Sequence, residues 1–142
     1  MIDRSNTPKA STYVTAVTVF NNIAFVSGQL PRKDGEIKFF GKVGDEVDLS
    51  AAQEAAALCA NACLLALDNA LGDRARIAQV LKLTGFVASA SDFTGQGQVI
   101  DGASKVFVDA LGAAGHHSRS AIGVQQLPHG ATVEVELIVG LK

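Results

Sequence analysis

Cysteine is scarce in this sequence: Cys59 and Cys63 are the only two among 142 residues. They lie four positions apart in an alanine-rich segment with helical spacing, and no histidine or further cysteine lies nearby to complete a metal site. A helix holds such a pair too rigidly for an easy disulfide. We therefore expect buried free thiols, no metal site and a cytoplasmic protein.

Charge is also sparse. Asp, Glu, Lys and Arg make up 18% of the chain, the formal net charge is −2, and the sequence has no stripe of Lys and Arg. Affinity for nucleic-acid phosphates therefore has little support, and we expect no nucleic-acid partner. No apolar run approaches the ~20 residues that a membrane helix needs. The first residues lack the apolar segment of a signal peptide, so we expect no membrane partner.

The hydrophobic content of 48% and the length suit one globular domain. Residues 1–12 are polar and predict a flexible N-terminal arm on a single domain spanning 1–142. Asn21-Asn22 favours a tight turn between two strands. Ser50 is the predicted N-cap of a long helix, with Gln53 completing a capping box.

Alternating and helical patterns together predict the element order β-β-(β)-α-β-α-β-β. Two helices can cover only one face of a mixed sheet of five or six strands. The predicted fold class is therefore α+β with both helices on one side. The other face of the sheet must then meet water or another subunit.

The stretch HSRSAIGVQQLP, residues 117–128, places Arg119 in a strand beside the small residues Ala121 and Gly123. If this strand and the last one form an antiparallel hairpin, Arg119 shares the helix-free face with Glu134 and Glu136. A surface ion pair is one interpretation, and a ligand that fills the space beside the arginine is the other. The preceding His116-His117 pair is interpreted as a solvated turn.

Three segments resemble the RidA/YjgF family, which is also labelled endoribonuclease L-PSP: SGQLP at 27–31, RSAIGVQQLP at 119–128 and ATVEVELI at 131–138. FGKVG and TGFVASASDF are similar to a divergent branch. The resemblance covers nearly the whole chain and implies a chorismate-mutase-like fold assembled as a trimeric barrel. The best-known members hydrolyse reactive enamines and imines made by pyridoxal-phosphate enzymes.

The resemblance also implies roles for individual residues. Arg119 matches the arginine that clamps the substrate carboxylate, and Glu134 matches the glutamate that holds the attacking water. The interval before the SGQLP segment is one residue longer than in typical members. The implied substrate-binding residues are Tyr13, Ser27, Gly28 and Ala121.

One position departs from the family, because its asparagine in the second helix falls here near Asp101 or Gly102. A negative charge there repels an anionic substrate. The leading hypothesis is a cofactor-free hydrolase of small 2-imino and enamine acids, acting as a homotrimer with sites between subunits. The alternatives are a non-catalytic carboxylate-binding or regulatory protein, and an RNA-cleaving translation inhibitor.

Overall fold

The structure, a computed structural model, describes residues 11–142. Nearly all of the arm predicted at residues 1–12 lies outside the described residues. The helices are α1, Leu49–Leu71, and α2, Gln96–Leu111. The strands are β1 Val17–Phe20, β2 Ile23–Gln29, β3 Arg32–Lys33, β4 Glu36–Ile37, β5 Ile77–Ala88, β6 Ser118–Val124 and β7 Val133–Leu141.

Five strands form one mixed sheet in the order β1-β2-β7-β5-β6, while β3 and β4 form a small separate hairpin. The β5–β6 pair is parallel, and the other pairs of the main sheet are antiparallel. The predicted turn between β1 and β2 is confirmed, because Asn21 and Asn22 both have positive φ as such a two-residue turn requires. The α+β class with two helices is confirmed.

The expected hairpin between β6 and β7 is wrong, because β5 lies between the two strands. The segment that connects β6 to β7 does not form a hairpin turn. It contains a 3-10 turn at Pro128–Gly130, and its backbone instead bonds to residues 39–41, through Gly41 N to Gly130 O and Thr132 N to Phe39 O. The long apolar β5 fills the vacated place beside β7.

This topology changes the face on which Arg119 lies. Arg119 is in register with Leu83 of β5, which is fully buried on the helix side, and neighbouring residues in register share a face. Glu134 is in register with Phe86 and alternates with the fully buried Val133 and Val135. Arg119 therefore faces the helices and Glu134 the opposite side, which corrects the expectation that they share one face.

Helix α1 packs on the sheet through a face of small residues. Its N-cap is Asp48, which accepts a hydrogen bond from the Ala51 amide, and not the predicted Ser50. Both predicted buried thiols are confirmed, and Cys59 and Cys63 donate to the carbonyls of Val133 and Val135 at 3.5 and 3.6 Å.

By length and composition alone α1 is apolar enough to cross a membrane, so the statement that no such run exists is corrected. The helix has nine buried residues, and its small side chains belong to the core cluster that includes the sheet. This packing accounts for its apolar composition, as in the core helix of a globular domain.

Glycine sets how closely the two helices approach. A Cβ at Gly102 of α2 would overlap the backbone carbonyl of Gln53 in α1. Gly97 lies nearer the start of α2. A Cβ built there would have one neighbour within 4 Å, Arg119 Nη2 at 3.4 Å. The two glycines of one helix thus differ in what surrounds them.

We expect Gly102→Ala to lower the free energy of unfolding by about 2–3 kcal/mol, because backbone atoms cannot move aside as a flexible side chain can. Gly97→Ala is the matched control and should be neutral or slightly stabilising, since alanine favours the helix by up to ~1 kcal/mol. Urea denaturation of both variants measures the difference. Equal stabilities would contradict the proposed close contact between the helices.

Candidate functional site

Arg119 extends from β6 toward α2, where two side chains hold one end of its guanidinium. Its Nη1 donates to Asp101 Oδ1 at 2.7 Å and to Ser104 Oγ at 3.1 Å. The Arg119 side chain is 26% exposed and that of Asp101 is 63% exposed. The sequence alone suggested no side chain of the same chain that covers Arg119, but helix α2 provides two that contact it. We call Arg119, Asp101, Ser104 and Gly97 the arginine cluster.

The other edge of this guanidinium has no hydrogen-bond partner among the described residues. Within residues 11–142, neither Nε nor Nη2 of Arg119 donates a hydrogen bond to the protein. Arg74 shows what an occupied edge looks like in the same chain, with Nε and Nη2 donating to the two carboxylate oxygens of Asp68 at 3.0 and 2.6 Å. Arg119 therefore presents the side-on fork of donors that binds a carboxylate with two parallel bonds.

Small residues keep this free edge open. Any Cβ at Gly97 would lie 3.4 Å from Arg119 Nη2, so a longer side chain would cover the fork. Ala121 is the next residue of β6 on the same face and is partly buried against the core. Sequence reasoning missed Gly97, because it lies in the first turn of α2, next to a turn-rich segment in which glycine is ordinary.

A hydrogen-bonded chain behind the arginine fixes the position of Ser104. His117 Nδ1 lies 2.6 Å from the carbonyl oxygen of Gly115, and its Nε2 lies 2.9 Å from Ser104 Oγ. With Nδ1 donating, Nε2 accepts from the serine hydroxyl, which accepts in turn from Arg119. The imidazole also packs edge-on against Phe107. His117 is thus not part of a solvated turn, contrary to the interpretation made from the sequence.

A second group of predicted site residues lies on the helix-free face. A Cβ built on Gly28 would lie 2.9 Å from the carboxyl carbon of Glu134, so a side chain at this position would push the carboxylate aside. The β2–β7 pairing is irregular between Val26 and Gln29, and there Ser27 donates through Oγ to the carbonyl of Thr15 at 2.7 Å. We call Ser27, Gly28 and Glu134 the glutamate cluster.

The environment of Glu134 favours its protonated form. Burial raises the pKa of Glu134 above its ordinary value, and the neighbouring Glu136 raises it further. A carboxyl group with a raised pKa is a better proton acceptor when ionised than an exposed one. Such a group suits the task of taking a proton from water.

Of the predicted site residues, the structure brings Gly28 and Glu134 together, with Ser27 beside Gly28 in the chain and bonded to Thr15, and it places Arg119 and Ala121 on the other face of the sheet. Tyr13 joins neither: it is 95% exposed, and its recorded hydrogen bond runs from its own amide to Ser11. Among residues 11–142, no group of three or more His, Cys, Asp or Glu side chains lies close enough to hold a metal ion.

Comparisons with known proteins agree with the fold. The family model described as Endoribonuclease L-PSP matches residues 4–141. Protein TCP17 of Trypanosoma cruzi is 42% identical over 117 residues, which are 82% of this chain and 73% of that protein.

Two solved structures share the architecture. Atu1372 from Agrobacterium tumefaciens, described as a protein of unknown function, superposes with a TM-score of 0.90 at 44% identity, over 91% of this chain and 83% of its own. E. coli TdcF, solved with bound serine, superposes with a TM-score of 0.63 at 26% identity, over 95% of this chain and 93% of its own. Because the family match runs through both clusters and nearly the whole sequence, the chain belongs to the endoribonuclease L-PSP family, also known as RidA/YjgF.

Proposed function

We propose that this protein hydrolyses small 2-imino and enamine acids to the corresponding 2-oxo acid and ammonia, without a cofactor. The observation that carries the proposal is the free Nε and Nη2 edge of Arg119, opened by Gly97 and anchored from behind by Asp101 and Ser104. The planar fork of donors of arginine fits a carboxylate better than the ammonium group of lysine does. The substrate class is therefore one that carries a small carboxylate.

Glu134 supplies the second requirement, a base for water. The carbon of a protonated imine is already electrophilic, so the reaction needs a positioned water more than strong activation. Glu134 accepts a proton as the water oxygen bonds to this carbon, and the proton then goes to the nitrogen. As the carbon–nitrogen bond breaks and ammonia leaves, Glu134 takes the proton of the new hydroxyl group and passes it to the ammonia, so that the carbon keeps the oxygen as the 2-oxo group.

We further propose that each site combines the arginine cluster of one subunit with the glutamate cluster of the next. The two clusters lie on opposite faces of one sheet, as the registers of Arg119 with Leu83 and of Glu134 with Phe86 require. One chain therefore does not offer both groups to a single small molecule, whereas a neighbouring copy can complete the site.

The helix-free face supports a homotrimer. It carries exposed apolar side chains, with Phe20 71%, Phe25 45% and Ile122 45% exposed, and no described element packs on this side of the sheet. A monomer leaves these groups in water. Three copies that turn these faces inward bury them, as the family resemblance implies.

The bound serine of E. coli TdcF agrees with a small carboxylate ligand for the family fold. The two free, buried thiols suit a reducing cytoplasmic location, which we propose with no membrane or nucleic-acid partner.

Two alternative functions have specific support. The Asp101 carboxylate on Arg119 favours a non-catalytic binder, which would bind 2-oxo acids without any turnover. The family description favours RNA cleavage, and that function requires cleavage that persists through exhaustive purification and is lost in Arg119→Ala.

The direct test couples an amino-acid oxidase or dehydratase to the purified protein and follows the lifetime of the imine. We expect acceleration over buffer, and Arg119→Lys should weaken 2-oxo acid binding by about 10- to 150-fold, because losing a charge-assisted bidentate contact costs on the order of 1.5–3 kcal/mol. Arg74→Lys removes a comparable fork far from the site and is the control. No acceleration with any of several amino acids would reject the deaminase proposal.

Glu134→Gln should separate activity from stability. Folding raises the pKa of Glu134 above its ordinary 4.5, so the folded state binds the proton more tightly than the unfolded state does. The ionised carboxylate therefore lowers the free energy of unfolding at pH values above the folded pKa. It has no such effect well below pH 4.5. We expect the variant to melt at a higher temperature than the wild type at pH 7, with the gain disappearing well below pH 4.5.

The same variant should hydrolyse imines about 10²–10⁴-fold more slowly, as expected for loss of a general base. Glu54→Gln, at an exposed position of α1, is the control for simple removal of a charge. A variant that retains wild-type activity would exclude Glu134 from the reaction.

Assembly is tested by sedimentation equilibrium at micromolar concentration. The full chain should have a mass near three times its 14.7 kDa. Ile122→Glu, which places a charge on the helix-free face, should dissociate the trimer, whereas Leu65→Glu at a 60% exposed position of α1 should not. A monomeric wild-type protein would contradict the shared site.

A further inference from the structure

The arginine cluster contains a charge that a simple carboxylate clamp does not need. Asp101 Oδ1 accepts from Arg119 Nη1 at 2.7 Å, and its Oδ2 accepts no hydrogen bond from residues 11–142. The nearest cation of the same helix, Lys105, is paired with Asp109 at 2.6 Å, one turn further on. Among residues 11–142, the ion pair recorded for Asp101 is the one with Arg119.

The pair leaves the cluster neutral before any ligand arrives. A 2-oxo acid brings one negative charge and makes the cluster anionic. A protonated 2-imino acid or an amino acid brings a carboxylate and a cationic nitrogen on the adjacent carbon, so the cluster stays neutral. The two ligand types therefore differ in charge balance although both present the same carboxylate to Arg119.

Distance makes this difference effective. Asp101 occupies Nη1, while a ligand carboxylate on Nε and Nη2 binds the opposite edge of the same planar group, so hydrogen bonds of ordinary length put the nearest oxygens of the two carboxylates roughly 6 Å apart. This separation is shorter than the screening length of about 8 Å at physiological salt. Asp101 thus repels a bound carboxylate and attracts a cationic nitrogen on the adjacent carbon.

We propose, building on the function proposed above, that Asp101 is a specificity-determining residue that selects α-carboxylates with a cationic nitrogen on the adjacent carbon over 2-oxo acids. The selection favours both substrate binding and product release. It favours the protonated imine, the form whose carbon water attacks. Once ammonia has left, the remaining 2-oxo acid lacks the cation and is repelled from the site.

The experiment compares L-alanine with pyruvate, because they share three carbons and a carboxylate and differ in the group on the central carbon. Binding of each to the full-length protein is measured by titration calorimetry, in the wild type and in Asp101→Asn. We expect the variant to bind pyruvate about tenfold more tightly and alanine no more tightly, so that the alanine-to-pyruvate affinity ratio falls at least tenfold. Asp34→Asn removes an exposed carboxylate from the β3–β4 turn and should leave the ratio unchanged.

A measurement on the wild type alone gives an independent answer. Raising the salt concentration screens the attraction of Arg119 for both carboxylates, which cancels in the ratio, and also screens the repulsion from Asp101. The wild-type ratio should therefore fall with added salt, and the ratio of Asp101→Asn should fall less.

The outcomes separate the two proposals. If both ligands bind in an Arg119-dependent manner and Asp101→Asn leaves the ratio unchanged, the selection by Asp101 is wrong while the carboxylate site stands. A wild-type ratio that does not respond to salt also overturns the selection. If neither ligand binds and Arg119→Lys changes nothing, the carboxylate site itself is rejected together with the selection.

Discussion

The parallel pairing of β5 with β6 is the constraint on which the rest of the site depends. It places β6 at the edge of the sheet and sets Arg119 in register with Leu83, so the guanidinium points toward α2 and not toward the open face. From this one pairing follow the contacts to Asp101 and Ser104. The separation of the arginine cluster from the glutamate cluster has the same cause, since β5 also lies between the strands that carry them.

The sequence predicted the fold class well, but it predicted the positions of only some of the site residues. Helical spacing and alternation identified both helices and the strands, because burial of an apolar face determines those patterns directly. Alternation also assigned Glu134 correctly, since the valines on either side of it are large and buried. Alternation does not tell which strands pair. In β6 the residues that share a face with Arg119 are alanine and glycine, which fit either face of the sheet. Which side chains of β6 point toward the helices was therefore undetermined until its partner strand was known.

Residues that act through geometry alone were hardest to find. Gly97 and Gly28 matter because of the atoms that occupy the place of their missing side chains, and those atoms come from β6 and β7, distant in the sequence. His117 acquires a function through Gly115 and Ser104, which again requires the helix to be in position. The glutamate cluster holds a carboxylate at some cost to stability, as the raised pKa of Glu134 indicates, and natural proteins tolerate such costs at functional sites.

The two thiols of α1 have a use that follows from their burial. Each donates to a backbone carbonyl of β7, and burial raises the pKa of both, so almost no thiolate exists in the closed structure to attack an electrophile. Alkylation therefore waits for α1 to separate from the sheet. Under conditions where reclosing is faster than alkylation, the labelling rate reports the free energy of that opening, and the chain carries its own probe of how firmly its longest helix is attached.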